Sequence, residues 1–223
     1  DQGPINPSIF PLARRVTSTG EKMNKAVIAW VLAFLVVLLW SAWQPHDYPT
    51  WWLEVLPALV AFLLLAFTRK SFPLTPLLYL LILFHAIILM MGGHYTYAEV
   101  PAGDWLRDVT NGSRNNYDKL GHLAQGFVPA MVARELLLRW GVVAKKSWLG
   151  FLIVSICLAI SACYELIEWW VALLSSEAAE SFLGTQGYAW DTQSDIFMAL
   201  IGAIAALLLL SRLHDRQLAR LSR

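Results

Sequence analysis

Asp118, His122 and Gln125 stand at i, i+4 and i+7 in the stretch YDKLGHLAQGFVPAMVARELLLRW (117–140), a spacing that places all three side chains on one face of a helix. Two later stretches carry matching polar groups. YELIEWW (164–170) holds Glu165 and Glu168 at i, i+3, and WDTQSD (190–195) holds Asp191 and Asp195 at i, i+4. His94, Tyr95 and Tyr97 follow another apolar run. The donors are carboxylates and one or two imidazoles, with no thiolate cluster. Such a set suits one divalent cation, Mg²⁺, Ca²⁺, Mn²⁺ or Zn²⁺. It equally suits His122 as a base oriented by a carboxylate, or a proton shared between close carboxylates such as Glu165 and Glu168. The expected catalytic groups are His122, Asp118, Glu165 and Glu168. The expected metal ligands are Asp191, Asp195, Glu165 and His122. Gln125, His94, Tyr97, Tyr164 and Gln193 would orient a substrate. A plainer reading competes at several positions: Asp191 as a helix N-cap, His122 as an interhelical hydrogen-bonding residue, and the tyrosines as packing.

The elements that carry these groups are set by composition. Of 223 residues, 57% are hydrophobic and 15% charged, against about 25% charged in soluble domains, and the mean hydropathy is +0.53. Apolar runs cover about 26–43, 51–68, 74–92, 119–138, 147–173 and 190–211, each near the ~20 residues that a bilayer core demands. The run at 119–138 is the least apolar and can cross only if other helices surround it. The chain is therefore expected to be all-α, a six-helix transmembrane domain over 23–211. A disordered N-terminal tail (1–22) would precede it and a basic cytoplasmic tail (212–223) follow. A signal peptide competes for the first run, but Trp40-Ser41-Ala42-Trp43 offers no small-residue cleavage site.

Loop charge gives the orientation. Arg14, Arg15, Lys22 and Lys25 precede the first run, Arg69 and Lys70 follow the second, Arg139, Lys145 and Lys146 follow the fourth, and four arginines close the chain. The intervening loops are neutral or mixed. Both termini are thus expected in the cytoplasm of a bacterial inner-membrane, multi-pass protein. The polar groups then share one depth near the outer face, where Trp51, Trp52, Trp105, Trp169, Trp170 and Trp190 would form an aromatic belt. A carboxylate at the centre of a spanning helix costs about 2.5–3.5 kcal/mol, so five of them require pairing, water or a cation. Lys119 and Arg114 are the nearest counter-charges, whereas Glu54 and His85 look isolated and Arg134 and Glu135 fall toward the cytoplasmic end. Cys157 and Cys163 have no metal spacing and read as packing residues.

The motifs GGHYTYAEVP (92–101), YDKLGHLAQGFVPA (117–130), YELIEWW (164–170) and GTQGYAWDTQSD (184–195) resemble the YjdF-type bacterial inner-membrane proteins, a family of unknown function, over about residues 25–211. A remoter similarity is to VanZ-like cell-envelope proteins, through Lys119–His122, Tyr164-Glu165-Leu166 and Asp191/Asp195. Three functions remain open. One is an enzyme or binding protein for an outer-leaflet lipid or envelope precursor. Another is a small ion or solute transporter, for which no internal repeat is visible. The third is a non-catalytic scaffold whose polar groups tie helices together. Membrane lipids are the expected partners. No nucleic-acid signal, phosphate loop or hydrolase motif is present, and the sequence carries no signal of oligomeric state.

Overall fold

A computed structural model describes residues 25–174 and 190–221. The expected N-terminal tail and the Gly-Thr-Gln-Gly part of the 184–195 motif lie outside the described residues. The described chain is helical: α1 (Lys25–Ala42), α2 (Tyr48–Thr68), α3 (Pro76–Tyr95), α4 (Pro101–Thr110), α5 (Tyr117–Arg139), α6 (Leu149–Leu174) and α7 (Asp191–Leu221), with short 3-10 turns before α4 and α6. Five of these, all but α4 and α5, are long and apolar enough to cross a membrane. The reason that α5 is an exception lies in its residues: Asp118, Lys119, Arg134, Glu135 and Arg139 lower its hydropathy, and α3, α6 and α7 pack around it.

The α5–α7 pair is the spine of the molecule. A Cβ on Gly126 would lie 1.9 Å from the Ala199 carbonyl oxygen, and one on Gly202 would lie 2.1 Å from that of Leu123. Only glycine permits so close a crossing, the small-residue packing used between membrane helices. The contact continues along α7 through buried Ala199, Ala203 and Ala206. The apolar interior of the described residues falls into a smaller cluster of Ile88, Val100, Tyr117 and Ala124 and two larger ones. Phe34, Trp51, Val55 and Met90 fill one between α1, α2 and α3. Leu78, Met131, Ile153 and Ala203 fill the other between α3, α5, α6 and α7.

Helix ends explain the joints. Asp47 caps α2 by accepting from the Thr50 N–H at 2.8 Å, with Pro49 in the first turn. The start of α3 is capped from other helices: the Thr75 N–H donates to Glu135 of α5, and the Leu77 N–H to Gln217 of α7 at 2.9 Å. Asn111 ends α4 in the left-handed region at φ 51°.

Three sequence expectations change. The segment 93–118 is not a plain loop. It contains α4, whose Trp105, Leu106 and Val109 share one exposed face. The last helix does not stop at 211 but continues to Leu221, so most of the expected basic tail is helix, and His214 within it is fully buried. Trp51 is not a belt residue. It is buried and its indole N–H donates to Ser41 at 3.2 Å, while Trp52, Trp105, Trp169, Trp170 and Trp190 are exposed.

Candidate functional site: an ionisable cavity between α2 and α6

Helix α5 delivers Asp118, Lys119, His122 and Gln125 to one end of the bundle, α6 delivers Tyr164, Glu165 and Glu168, and the first turns of α7 deliver Asp191 and Asp195. Their convergence follows from the spine. Asp191 and Asp195 continue the same four-residue stripe as Ala199 and Ala203, so the face of α7 that meets α5 is also the face that carries the carboxylates.

The contacts divide into a clamp and an open group. In the clamp, Lys119 Nζ lies 2.6 Å from both Asp191 Oδ1 and Asp195 Oδ1, and Arg114 donates to Asp191 at 3.1 Å. In the open group, His122 Nδ1 meets Gln125 Oε1 at 3.0 Å. Its Nε2 faces Asp118 at 3.3 Å, Glu165 at 3.7 Å and Asp195 at 3.9 Å. His122, Glu165 and Asp195 are all buried. Glu165 Oε1 is buried with no hydrogen-bond partner.

These groups line one end of a cavity of about 940 Å³. The cavity runs on past Pro57, Ala61, Val128, Pro129, Val132 and Ile156 to Leu65, Phe72 and Trp140. From Asp118 to Trp140 along α5 is about 33 Å at the helical rise per residue, the full thickness of a hydrocarbon core. Helix α2 packs on α3, and α6 packs on α5 and α7, but α2 and α6 share no packed interface. The cavity is the groove left between them. It is open at its side along its length, where the lining residues Pro57 and Ile160 toward the polar end and Leu64 and Trp140 toward the other are exposed. One hydrogen bond crosses it near the polar end, from the Tyr164 hydroxyl to Glu54 at 3.0 Å.

Tyr97 closes the polar end. Thr96 turns the chain at φ 65°, an unusual value for a β-branched residue. The turn lays the Tyr97 ring into a slot made by two glycines: a Cβ on Gly92 or Gly121 would fall 2.3 or 2.7 Å from that ring. Burial, with Glu54 nearby, pushes the Tyr97 phenol well above its usual range, so it stays neutral and can donate.

Most of the residues singled out in the sequence meet at this cavity. Asp118, His122, Gln125, Tyr97, Tyr164, Glu165, Glu168, Asp191 and Asp195 all line it. Two do not. Gln193 is exposed on the far side of α7, because a step of two residues from Asp191 turns it away. His94 points to the other side of α3, its Nδ1 3.1 Å from the Ser41 carbonyl and its ring against Trp40. The structure adds two residues that looked isolated: Glu54 and His85 also line the cavity. Cys157 is buried and Cys163 exposed, and neither belongs to a candidate metal-ligand group among the described residues.

Residues 26–216 match the family described as "Predicted membrane protein (DUF2238)". The chain belongs to this family. It is also 52% identical over 189 residues to inner membrane protein YjdF of Escherichia coli strain K12, covering 85% of this chain and 90% of that protein. No solved structure matches. The family is described as predicted membrane proteins and the Escherichia coli relative as an inner membrane protein, and this chain is an integral inner-membrane protein; the VanZ-like similarity gains no support from these matches.

Proposed function

We propose that the groove between α2 and α6 binds a membrane amphiphile, an envelope lipid or lipid-linked precursor, entering from the outer leaflet. The polar head would sit among Asp118, His122, Glu165 and Glu168, with Tyr97, Tyr164 and Gln125 orienting it and a divalent cation assisting. The chain would lie along α5 against Ala61, Val132 and Ile156. The observation that carries this reading is the continuity of one cavity from a cluster of ionisable groups into a side-open apolar groove. A lipid chain gains little by leaving the bilayer for such a groove, since both are apolar. Selectivity must then come from the head, where the buried polar groups are.

A transporter would need polar groups along the whole path. Below His85 and Gln125 the lining is chiefly apolar, with Thr68 and Ser71 at the far end, which suits a chain better than an ion. A pure scaffold would leave its buried polar atoms satisfied, and Glu165 Oε1 is not.

A photoreactive residue placed at Ala61 or Val132 tests the reading in intact membranes. One lipid class should be captured there in excess of its abundance, compared with capture at exposed Leu208. Capture at Ala61 that mirrors the bulk lipid would refute it.

A further inference from the structure

We propose that His122, Glu165 and Glu168 form a binding site for one first-row divalent metal ion, with Asp118 and Asp195 in a second donor set that shares His122. This deepens the reading of the cavity as a headgroup pocket and rests on it only for what the ion would do there.

The distances around His122 Nε2 point to shared coordination. Three carboxylate oxygens surround it at 3.3, 3.7 and 3.9 Å. Good N–H···O bonds fall at about 2.7–3.2 Å; Asp118 stands at the edge of that range, and Glu165 and Asp195 are too far for one. Two ligands of one ion, each about 2.0–2.2 Å from it, stand about 3–4 Å apart, as these do. A proton on Nε2 could serve only one of the three carboxylates. The donor atoms of Asp118, His122 and Asp195 lie within 4.8 Å of one another, as do those of His122, Glu165 and Glu168.

The surroundings match what a metal ligand needs. Gln125 Oε1 accepts from His122 Nδ1–H at 3.0 Å, which aims the Nε2 lone pair at the carboxylates. Lys119 grips Asp195 Oδ1, the oxygen that also faces His122, at 2.6 Å and fixes that carboxylate in place. Independently of the acidic cluster, Glu165 Oε1 is buried without a partner while its side chain is only 7% exposed. A buried carboxylate oxygen left so is costly, and an ion held by His122, Glu165 and Glu168 would complete it. Charge agrees. Six carboxylates line the cavity, and the lysine and arginine beside them are committed to Asp191 and Asp195. An imidazole in the set favours Mn²⁺, Fe²⁺, Co²⁺ or Zn²⁺ over Mg²⁺ or Ca²⁺. Facing the cavity, the ion would hold and polarise an oxygen of the headgroup.

The test uses the full chain, purified in detergent with the affinity tag removed, loaded with Mn²⁺ or Zn²⁺, desalted and measured by elemental mass spectrometry. Wild type should retain about one ion per chain and melt at a higher temperature when loaded. His122→Ala and the isosteric Glu165→Gln should retain at least about tenfold less, whereas Gln193→Ala should match wild type. If His122→Ala does not fold, Glu165→Gln decides. Less than stoichiometric metal in loaded wild type, or undiminished metal in Glu165→Gln, would overturn the site. Lipid extracted from the same samples separates the two readings. Lipid without metal leaves the headgroup pocket standing and removes the ion. Metal without lipid does the reverse.

Discussion

The two ends of α5 carry two ionisable clusters built on opposite plans. At the far end, Glu135 accepts from Thr75 at 2.8 Å, from Arg139 at 2.8 Å and from His214 Nε2 at 2.9 Å. Arg134 donates to His214 Nδ1 at 2.8 Å and to Asp215 at 2.6 Å. Glu135 and His214 are sealed from solvent, and every charge has an opposite partner. This cluster joins α3, α5 and α7 and leaves no atom for a ligand. The other end has the same residue types but too many carboxylates, a partnerless oxygen and a cavity in front of it. Residue type alone therefore does not separate a tie from a site. Satisfaction and access do.

Mutations can break this contrast. Glu135→Ala should have the largest effect on stability, about 3–5 kcal/mol, because it strands the buried His214 and leaves the half-buried Arg139 and the Thr75 N–H and hydroxyl without their carboxylate. Thermal unfolding in detergent would show a large drop, while folded protein keeps its bound ligand. Gly126→Ala comes next. Its Cβ would meet the Ala199 carbonyl at 1.9 Å, and overpacking of this kind costs about 1–3 kcal/mol. Because the spine carries both clusters, melting temperature and ligand content should fall together. Glu165→Gln should change stability least, by less than about 1 kcal/mol, since it removes a charge from a crowded acidic group. It should nonetheless abolish ligand and metal retention. Equal losses of stability in Glu135→Ala and Glu165→Gln would erase the distinction between the clusters.

Much of the site was legible because helical spacing is rigid. Asp118, His122 and Gln125, and Asp191 with Asp195, could be placed on common faces by counting residues. Gln193 could have been rejected by the same count. Glu54 could not be found that way. It is a lone carboxylate in an apolar run, and its partner Tyr164 is 110 positions away. His214 was hidden similarly, among arginines that resemble a solvated tail, 79 positions from Glu135. His94 was misplaced because rotation at the end of α3 depends on packing against α1, which no local pattern encodes. The helix expected over 119–138 is α5, but Asp118, Lys119, Arg134, Glu135 and Arg139 keep it out of the set of helices apolar enough to cross a membrane on their own. The groove itself has no sequence signature, since it lies where α2 and α6 stand apart, bridged by the Tyr164–Glu54 hydrogen bond.

Native mass spectrometry of wild type beside Ala61→Trp tests the central claim most directly. The bulky side chain would fill the apolar groove and touch none of the ionisable cluster. Wild type should carry one amphiphile of a single headgroup class, and Ala61→Trp should carry none while melting at a similar temperature. Bare wild type, or lipid retained equally by both proteins, would contradict the account.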